Sequence, residues 1–253
     1  LGKDPNAEDM PLWIEPNTKV DLAKMEACMR DHYEGTPLSL DQDIAQGIWN
    51  SPYRPTPLKF EVDGKQCFNE RPISTQQSGF SYIAQLRSWL PREIGGILWF
   101  GNDDGNMVAY VPIYCSNTER AECFNTPGAD AVTFSDKSAF WVCNWVSNMV
   151  YPRYSQLFPA LKEVRDSLDN SYFAAQNATD KAAAVKYLND YSVQKSDEMI
   201  ARWRDLAIYL IVKFNDMTIK PEKDGKFLRT STGLGERVKR PGYSDYFKRE
   251  LIK

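Results

Sequence analysis

The sequence predicts an α+β fold in which antiparallel strands are followed by a run of long helices. Apolar and polar side chains alternate over residues 57–87, and turn residues divide that stretch into strand-length segments. Over residues 135–151 and 157–214, apolar side chains instead recur every three or four positions, which is the period of a helix. The 253 residues are 42% hydrophobic, so the chain can bury a substantial core.

A helix is predicted first, over residues 17–32. Its apolar stripe consists of Leu22, Met25, Met29 and His32. His32 is the only histidine of the chain, and it precedes Gly35 and Pro37, which end the helix. The favoured interpretation is a half-buried histidine at a helix C-terminus, where the helix dipole stabilises its charge. The alternative is a substrate contact by His32.

At least five antiparallel strands are predicted next. They cover residues 58–62, 65–70, 73–86, 94–101 and 107–114. Asp63 and Gly64 form a two-residue hairpin turn between the first two strands. Pro112 places the last strand at a sheet edge or at its own end.

Asp103 and Asp104 lie in the loop between the last two predicted strands. Adjacent residues of an extended chain point to opposite faces, so these two carboxylates are not expected to flank one reacting bond. Asn and Asp are also typical turn residues, which favours a plain turn. Calcium binding by this loop is the alternative, although the spacing of an EF-hand is missing.

A buried helix is predicted over residues 135–151, with Ser135 as its N-cap. The segment is apolar on nearly every side, which is typical of a helix inside the core. Asn144 and Asn148 lie four positions apart on one face, and buried amides need hydrogen-bond partners. For Asn144, the favoured interpretation is packing or capping, and the alternative is a place in a functional site.

A helical hairpin packed on the sheet follows, with Thr179 and Ser196 as N-cap candidates between its segments. Its two apolar stripes are Leu157, Leu161, Val164, Leu168 and Tyr172, and then Met199, Trp203, Leu206, Leu210 and Phe214. The tail over residues 224–253 is predicted to be irregular and to end in a short helix. The chain is accordingly divided into a core region (1–155), the helical hairpin (156–216) and a C-terminal extension (217–253).

Several functional classes are disfavoured by the composition. Lys+Arg 31 against Asp+Glu 34 leaves no basic surplus for a nucleic-acid partner, and the longest apolar run, residues 206–212, is too short to cross a membrane. The five cysteines are scattered without a CxxC pattern, which favours free thiols, with a Cys115–Cys123 disulfide as the alternative. A single histidine excludes an HExxH metalloprotease, and neither a metal nor another cofactor is expected.

Four segments, in the same order, resemble signatures of the dipeptidase A-type cysteine peptidases, which are related to the secernins. They are residues 29–37 (MRDHYEGTP), 70–79 (ERPISTQQSG), 94–101 (IGGILWFG) and 138–141 (SAFW). The resemblance covers residues 20–165 and implies an N-terminal nucleophile hydrolase. The fold it implies is the C-terminal half of a four-layer αββα sandwich, with the helical hairpin as an addition.

The resemblance also implies a mechanism that needs no histidine. In that superfamily a processed N-terminal Cys attacks the amide carbonyl, and its own α-amine serves as the base. None of the five cysteines here is N-terminal, and the chain begins at Leu1 rather than Met. We therefore expect the nucleophile to lie in a missing N-terminal half, which would be the partner of this chain, and we expect this polypeptide alone to be inactive.

The candidate site residues come partly from more distant relatives, the bile salt hydrolases and penicillin V acylases. There a hairpin leads into a Thr-Asn pair whose Asn helps to form the oxyanion hole. A similar layout here puts Thr75 and Gln76 at that place, with one more methylene in the side chain. The resemblance thus implies that Gln76 or Gln77 donates to the oxyanion. The alternative is a strand glutamine bonded to a neighbour.

Arg87 is a candidate for binding the carboxylate of a substrate or for orienting the nucleophile. The alternative is an exposed arginine at a strand end. The leading functional hypothesis is part of a cysteine dipeptidase that hydrolyses short peptides. Two others remain: a non-catalytic binding or structural domain on the same scaffold, and an acylase acting on another amide.

Overall fold

The computed structural model describes residues 11–56, 58–125, 128–179 and 185–253, and for residues 175–179 the backbone alone. The helices are α1 (Leu22–Met29), α2 (Arg92–Gly95), α3 (Ala139–Val150), α4 (Tyr154–Thr179), α5 (Val185–Phe214) and α6 (Asp245–Leu251). The strands are β1 (Lys59–Val62), β2 (Lys65–Phe68), β3 (Phe80–Leu86), β4 (Gly96–Asn102), β5 (Val111–Tyr114), β6 (Glu222–Lys223) and β7 (Lys226–Phe227). Short 3-10 helices cover Ile44–Trp49, Glu122–Asn125, Tyr151–Arg153 and Asn215–Met217. The predicted α+β class is confirmed.

The main sheet has the order β3–β4–β5 and is antiparallel throughout. Tyr82 pairs with Phe100, and Trp99 pairs with Pro112. Pro112 therefore lies on an edge strand, as predicted, because proline has no N–H to donate to a further strand. The predicted strand over residues 73–86 is shorter in the structure, since only Phe80–Leu86 pairs with β4.

Two small hairpins are separate from this sheet, so the seven strands of the described residues form three sheets. β1 and β2 meet at Asp63 and Gly64, whose φ angles of 51° and 74° suit a two-residue hairpin turn. That prediction is confirmed. β6 and β7 form an unpredicted hairpin around Asp224 and Gly225, and α6 confirms the short helix of the tail.

One face of the main sheet is buried under helices. Ile97, Trp99 and Tyr114 point to this side and are at most 1% exposed. The ring of Trp99 meets Phe173 of α4 edge-on, with 4.8 Å between the centroids. α5 packs on β5 and on α3. The side chains of alternate strand residues thus enter the hydrophobic core.

The opposite face of the main sheet is open. Phe80, Tyr82 and Leu86 of β3 point to this side and are 60%, 53% and 78% exposed. They lie beside Phe100 of β4, which is half-buried, with 6.0 Å between the ring centroids of Phe80 and Phe100. An apolar face of this kind is typical of a surface that another element covers.

The predicted helical hairpin is confirmed by α4 and α5. Nearly every member of the two apolar stripes is buried, and one hydrophobic core extends from the main sheet into both helices. The predicted N-cap Ser196 is wrong, because Ser196 lies inside α5 and donates to the Ser192 carbonyl at 2.8 Å. The side chain of Thr179 lies outside the described residues.

The helices α1 and α3 both begin later than predicted. Asp21 caps α1 by accepting a hydrogen bond from the Lys24 N–H at 2.8 Å, which sets Leu22 as the first helical residue. Met25 was placed on the apolar stripe but is 41% exposed, and the buried position is Glu26. For α3, Ser138 is the N-cap residue, so the predicted N-cap Ser135 is wrong.

The loop between β4 and β5 is almost completely buried, so its backbone polar groups need partners inside the protein. Arg30, at the end of α1, donates to the carbonyls of Gly105 and Val108, both at 3.0 Å. Asp169 of α4 accepts from the Tyr110 N–H at 3.0 Å and pairs with Arg30 at 2.8 Å. The Arg30–Asp169 pair therefore ties two helices to this loop.

Three further findings concern the residues that the structure describes. No helix among them is long and apolar enough to cross a membrane. No group of three or more His, Cys, Asp or Glu side chains in that part of the chain is arranged to hold a metal ion. Cys115 and Cys123 are both free thiols, so the alternative of a disulfide between them is wrong.

We expect Asp169→Ala to lower the free energy of unfolding by about 3–5 kcal/mol, because it leaves the buried charge of Arg30 without its nearest partner. Urea denaturation followed by circular dichroism measures this. The matched control is Asp190→Ala, which removes the exposed pair Lys186–Asp190, and no measurable change is expected there. Equal effects of the two substitutions would show that the buried pair does not anchor the loop.

Candidate functional site

A buried polar network surrounds the carboxylate of Asp104. The hydroxyl of Ser74 donates to Asp104 Oδ1. The N–H of Asn106 donates to the same oxygen at 3.2 Å and to the Ser74 hydroxyl at 3.1 Å. Asp104 and Ser74 are fully buried, so these bonds replace the water that a carboxylate otherwise binds. The predicted turn is present, since the Met107 N–H donates to the Asp104 carbonyl at 2.9 Å, but the segment is buried.

Three tyrosines close the network. The hydroxyl of Tyr151 lies 3.4 Å from Asp104 Oδ2, and the amide of Asn106 donates to Tyr154 at 3.1 Å and to Tyr53 at 3.4 Å. Burial, and next the charge of Asp104, raise the pKa of Tyr53 well above its ordinary value. Tyr53 therefore stays a neutral hydrogen-bonding group at physiological pH.

The second carboxylate of the loop, Asp103, is also buried. It has a φ angle of 78°, and its N–H donates to the Gly79 carbonyl at 2.9 Å. Burial raises the pKa of Asp103 to about 7, the charge of Asp104 adds to the rise, and hydrogen bonds from Ser147 and Asn144 oppose it. Two adjacent carboxylates thus lie in one interior region, with one of them near its titration point at neutral pH.

His32 lies beyond the end of α1 and is 1% exposed, so the predicted half-buried histidine on the helix is wrong. Its Nδ1 is 2.9 Å from Glu34 Oε1, and its ring meets Tyr53 edge-on, with 5.0 Å between the centroids. Burial tends to raise the pKa of Glu34, but the hydrogen bonds from the His32 ring and N–H outweigh it and lower this pKa to about 2. Glu34 therefore holds the histidine in place, and substrate binding by His32 stays a prediction.

A cavity of about 410 Å³ adjoins this network, within the size range of small-molecule sites. Residues from three separate segments line it, including Trp49, Tyr53, Arg54, Gln76 and Tyr151. Since Tyr53 and Tyr151 belong to both the cavity and the network, a molecule in the cavity would contact side chains that surround Asp104.

Gln76 is half-buried and lines this cavity, whereas Gln77 is exposed. Gln76 is in a turn closed by the bond from the Ser78 N–H to the Thr75 carbonyl at 3.0 Å, so it is not on a strand. The other part of that alternative, a bond to a neighbour, is present. Its Nε2 donates to the carbonyl of Arg54. An amide NH2 has two N–H groups, so a second donor remains. The position suits a donor to a ligand carbonyl.

Arg87 is not near Gln76. The two residues flank β3, whose seven residues span about 23 Å. Arg87 is buried and donates to the Ile94 carbonyl at 2.5 Å, so the alternative of an exposed arginine is wrong. Its proposed contact with a substrate carboxylate stays a prediction, and the structure does not bring it together with Gln76.

Asn144 is half-buried on α3 and accepts from the Asn148 amide at 3.1 Å. It lines a second surface cavity together with Trp141 and Trp145. Trp145 is 40% exposed, so the prediction that α3 is buried on nearly every side is wrong. Asn144 is close enough to Asp103 to help lower the pKa of that carboxyl, so its neighbour is the carboxylate pair.

Five separate stretches of sequence meet at the network and the cavity beside it, and Tyr53 represents the one that precedes β1. His32 comes from residues 29–37, Ser74 and Gln76 from 70–79, Asp104 from the loop after 94–101, and Tyr151 from the turn after α3. Gln76 and His32 are candidates from the sequence, whereas Tyr151 is not, and for Asp104 the sequence favoured a turn. The available signal for Asp104 is the apolar run over residues 107–111, which begins three positions after it and predicts that the loop turns inward.

The segments that meet here lie within the part of the chain that matches a known family model. The model described as peptidase family C69 matches residues 1–167. That range includes β1 to β5, α1 to α3 and every residue of the network around Asp104.

Individual relatives are dipeptidases by name. Dipeptidase A of Lactobacillus helveticus is 24% identical over 205 residues, which is 79% of this chain and 37% of the relative. A probable dipeptidase of Salmonella dublin is 28% identical over 107 residues, which is 42% of this chain and 20% of the relative. Probable dipeptidase B of Streptococcus pyogenes serotype M1 is 22% identical over 119 residues, covering 47% and 23%. The matched parts are thus well under half the length of these relatives.

The raised pKa of the Asp103 carboxyl predicts how the free energy of unfolding changes with pH. Folded Asp103 keeps its proton up to about pH 7, whereas an unfolded Asp releases it near the ordinary value of 3.8. The folded state therefore binds more protons between these values, and the free energy of unfolding falls as the pH rises from about 4 to 7. Asp103→Asn is expected to remove this fall and to be more stable at pH 8 by on the order of 1 kcal/mol or more.

Urea denaturation of both proteins at several pH values measures the difference. Glu26, whose pKa burial raises to about 8, contributes a fall of the same sign in both proteins, so it cancels in the comparison. A constant difference between wild type and Asp103→Asn from pH 4 to pH 8 would contradict the prediction.

Proposed function

The chain belongs to peptidase family C69, and from this we propose that it forms part of a cysteine dipeptidase whose nucleophile lies outside these 253 residues. The match over residues 1–167 carries the proposal, because it contains all the segments that meet around Asp104. The dipeptidase names of the relatives support a short peptide as the substrate. None of the residues that bond around Asp104 is a cysteine, which supports an attacking thiol supplied from elsewhere.

In the proposed reaction, a processed N-terminal Cys attacks the carbonyl carbon of the peptide bond, and its own α-amine takes the thiol proton. Negative charge develops on the carbonyl oxygen. Gln76 is the proposed donor to that oxygen, because it borders a ligand-sized cavity and its amide has an N–H beyond the one given to Arg54. Its bond to the Arg54 carbonyl holds the amide in one orientation.

The open face of the main sheet supports the proposed four-layer sandwich. α3, α4 and α5 cover one side of this sheet, whereas the other side exposes Phe80, Tyr82 and Leu86. Two sheets that pack face to face bury apolar side chains of this kind between them. We assign this face to a second sheet formed by the remainder of the longer polypeptide.

We expect Gln76→Ala, made in the longer polypeptide, to lower kcat for a dipeptide about 10²–10³-fold with little change in KM, since the donor acts on charge that develops during the reaction. Steady-state kinetics with alanylalanine measure both constants. Gln77→Ala is the matched control, because Gln77 is exposed and accepts a bond from the Thr75 hydroxyl. If Gln77→Ala has the larger effect, the donor is Gln77.

Association with the remainder of the polypeptide has its own test. The isolated 253-residue chain is expected to be inactive, and co-expression with the N-terminal half is expected to restore hydrolysis. Leu86→Asp should prevent this restoration and leave the stability of the chain unchanged, because Leu86 is 78% exposed. Val132→Asp is the control, since Val132 is 91% exposed in a loop outside the sheet. Robust hydrolysis by the isolated chain would overturn the proposal.

A further inference from the structure

We infer that Arg54 binds the C-terminal carboxylate of a peptide held in the cavity beside Gln76. The inference rests on the proposed function for the identity of the ligand. It moves carboxylate recognition from Arg87, the candidate of the sequence, to a residue that shares a cavity with the proposed oxyanion donor.

Arg54 has a buried donor that the protein does not use. The residue is 3% exposed, and its Nη2 donates to the Leu40 carbonyl at 2.7 Å and to Asp43 Oδ1 at 3.0 Å. Its Nη1 is buried and has no hydrogen-bond partner among the described residues. Leaving a charged donor unpaired in the interior is costly. A ligand acceptor would remove that cost, and a carboxylate matches the guanidinium best.

The positive charge of Arg54 is only partly balanced. Its one ion-pair partner among the described residues is Asp43, whose side chain is 60% exposed. Water screens a charge in that position, so Asp43 compensates the buried guanidinium less well than a buried carboxylate does. Asp43 is also engaged in capping, since it accepts from the Ala45 N–H at 2.9 Å. The cavity around Arg54 therefore favours an anionic group.

The link between Arg54 and Gln76 suits a dipeptide. The backbone carbonyl of Arg54 accepts from Gln76 Nε2, which holds the Gln76 amide against this segment. The Leu40 carbonyl and Asp43 hold the guanidinium of Arg54, so both groups have defined positions. In a dipeptide the scissile carbonyl carbon and the carboxylate carbon are only about three bonds apart, and each further residue separates them by about another 3.5 Å. Recognition of both groups around one cavity of about 410 Å³ would select short peptides by their length.

The test compares the binding of alanylalanine and of alanylalanine amide to the 253-residue chain by isothermal titration calorimetry. The wild-type chain should bind the free carboxylate at least about 10-fold more tightly than the amide. Arg54→Gln should reduce this ratio to below about 2-fold while the affinity for the amide stays unchanged. Arg92→Gln, on an exposed residue of α2, is the charge-matched control and should keep the full ratio.

Three outcomes would each overturn the inference. The wild-type chain could bind alanylalanine and its amide equally well, it could bind neither detectably, or Arg54→Gln could leave the ratio of the two affinities unchanged. If circular dichroism shows Arg54→Gln to be unfolded, Arg54→Lys decides, because it keeps the charge and loses the two-pronged geometry. A fall in the ratio for Arg54→Lys supports the inference, and an unchanged ratio overturns it. Hydrolysis of the dipeptide by the longer polypeptide is measured in a separate assay. Its absence, together with Arg54-dependent binding, would overturn the proposed function alone.

Discussion

The buried guanidinium of Arg30 is the interaction on which the interior of this chain depends. It lies between Asp169 at 2.8 Å and Glu26 at 3.0 Å, and it donates to two carbonyls of the loop between β4 and β5. Burial tends to lower the pKa of Arg30, but Asp169 and Glu26 outweigh it and raise this pKa, so the guanidinium stays charged. Two buried acids surround one base, and burial raises the pKa of both Asp169 and Glu26. The charge of Asp169 adds to the rise for Glu26, whose pKa is about 8.

The anchored loop determines where the polar network forms. Gly105, at its centre, has no room for a side chain, because a Cβ there would lie 2.8 Å from the Tyr110 hydroxyl and 3.0 Å from the Met29 carbonyl. This close approach brings the loop against the end of α1 and turns Asp104 toward Ser74. A carboxylate inside the protein then needs several donors. Ser74, Asn106 and Tyr151 supply them, which explains why distant segments converge at this point.

The sequence predicted the helices and strands better than the burial and contacts of individual polar residues. The hairpin at Asp63 and Gly64, the stripes of α4 and α5 and the edge position of Pro112 were found, because each depends on local periodicity or on one residue's backbone chemistry. The burial of Asp104 and His32 was missed. Both are polar residues whose partners lie far away in sequence or beyond a helix end, and no local pattern reports such partners.

The length of a dipeptide determines which cationic residue can bind the same molecule as Gln76. A dipeptide extends only about 3.5 Å per residue, whereas Gln76 precedes β3 and Arg87 follows it, and the strand alone is about 23 Å long. A carboxylate clamp that works with Gln76 must therefore lie on another wall of the same cavity. Those walls come from residues 46–55 and from Tyr151 and Pro152, and the arginine among them is Arg54. Arg87 instead secures the connection between β3 and α2 through the Ile94 carbonyl, which is a structural role at the other end of the strand.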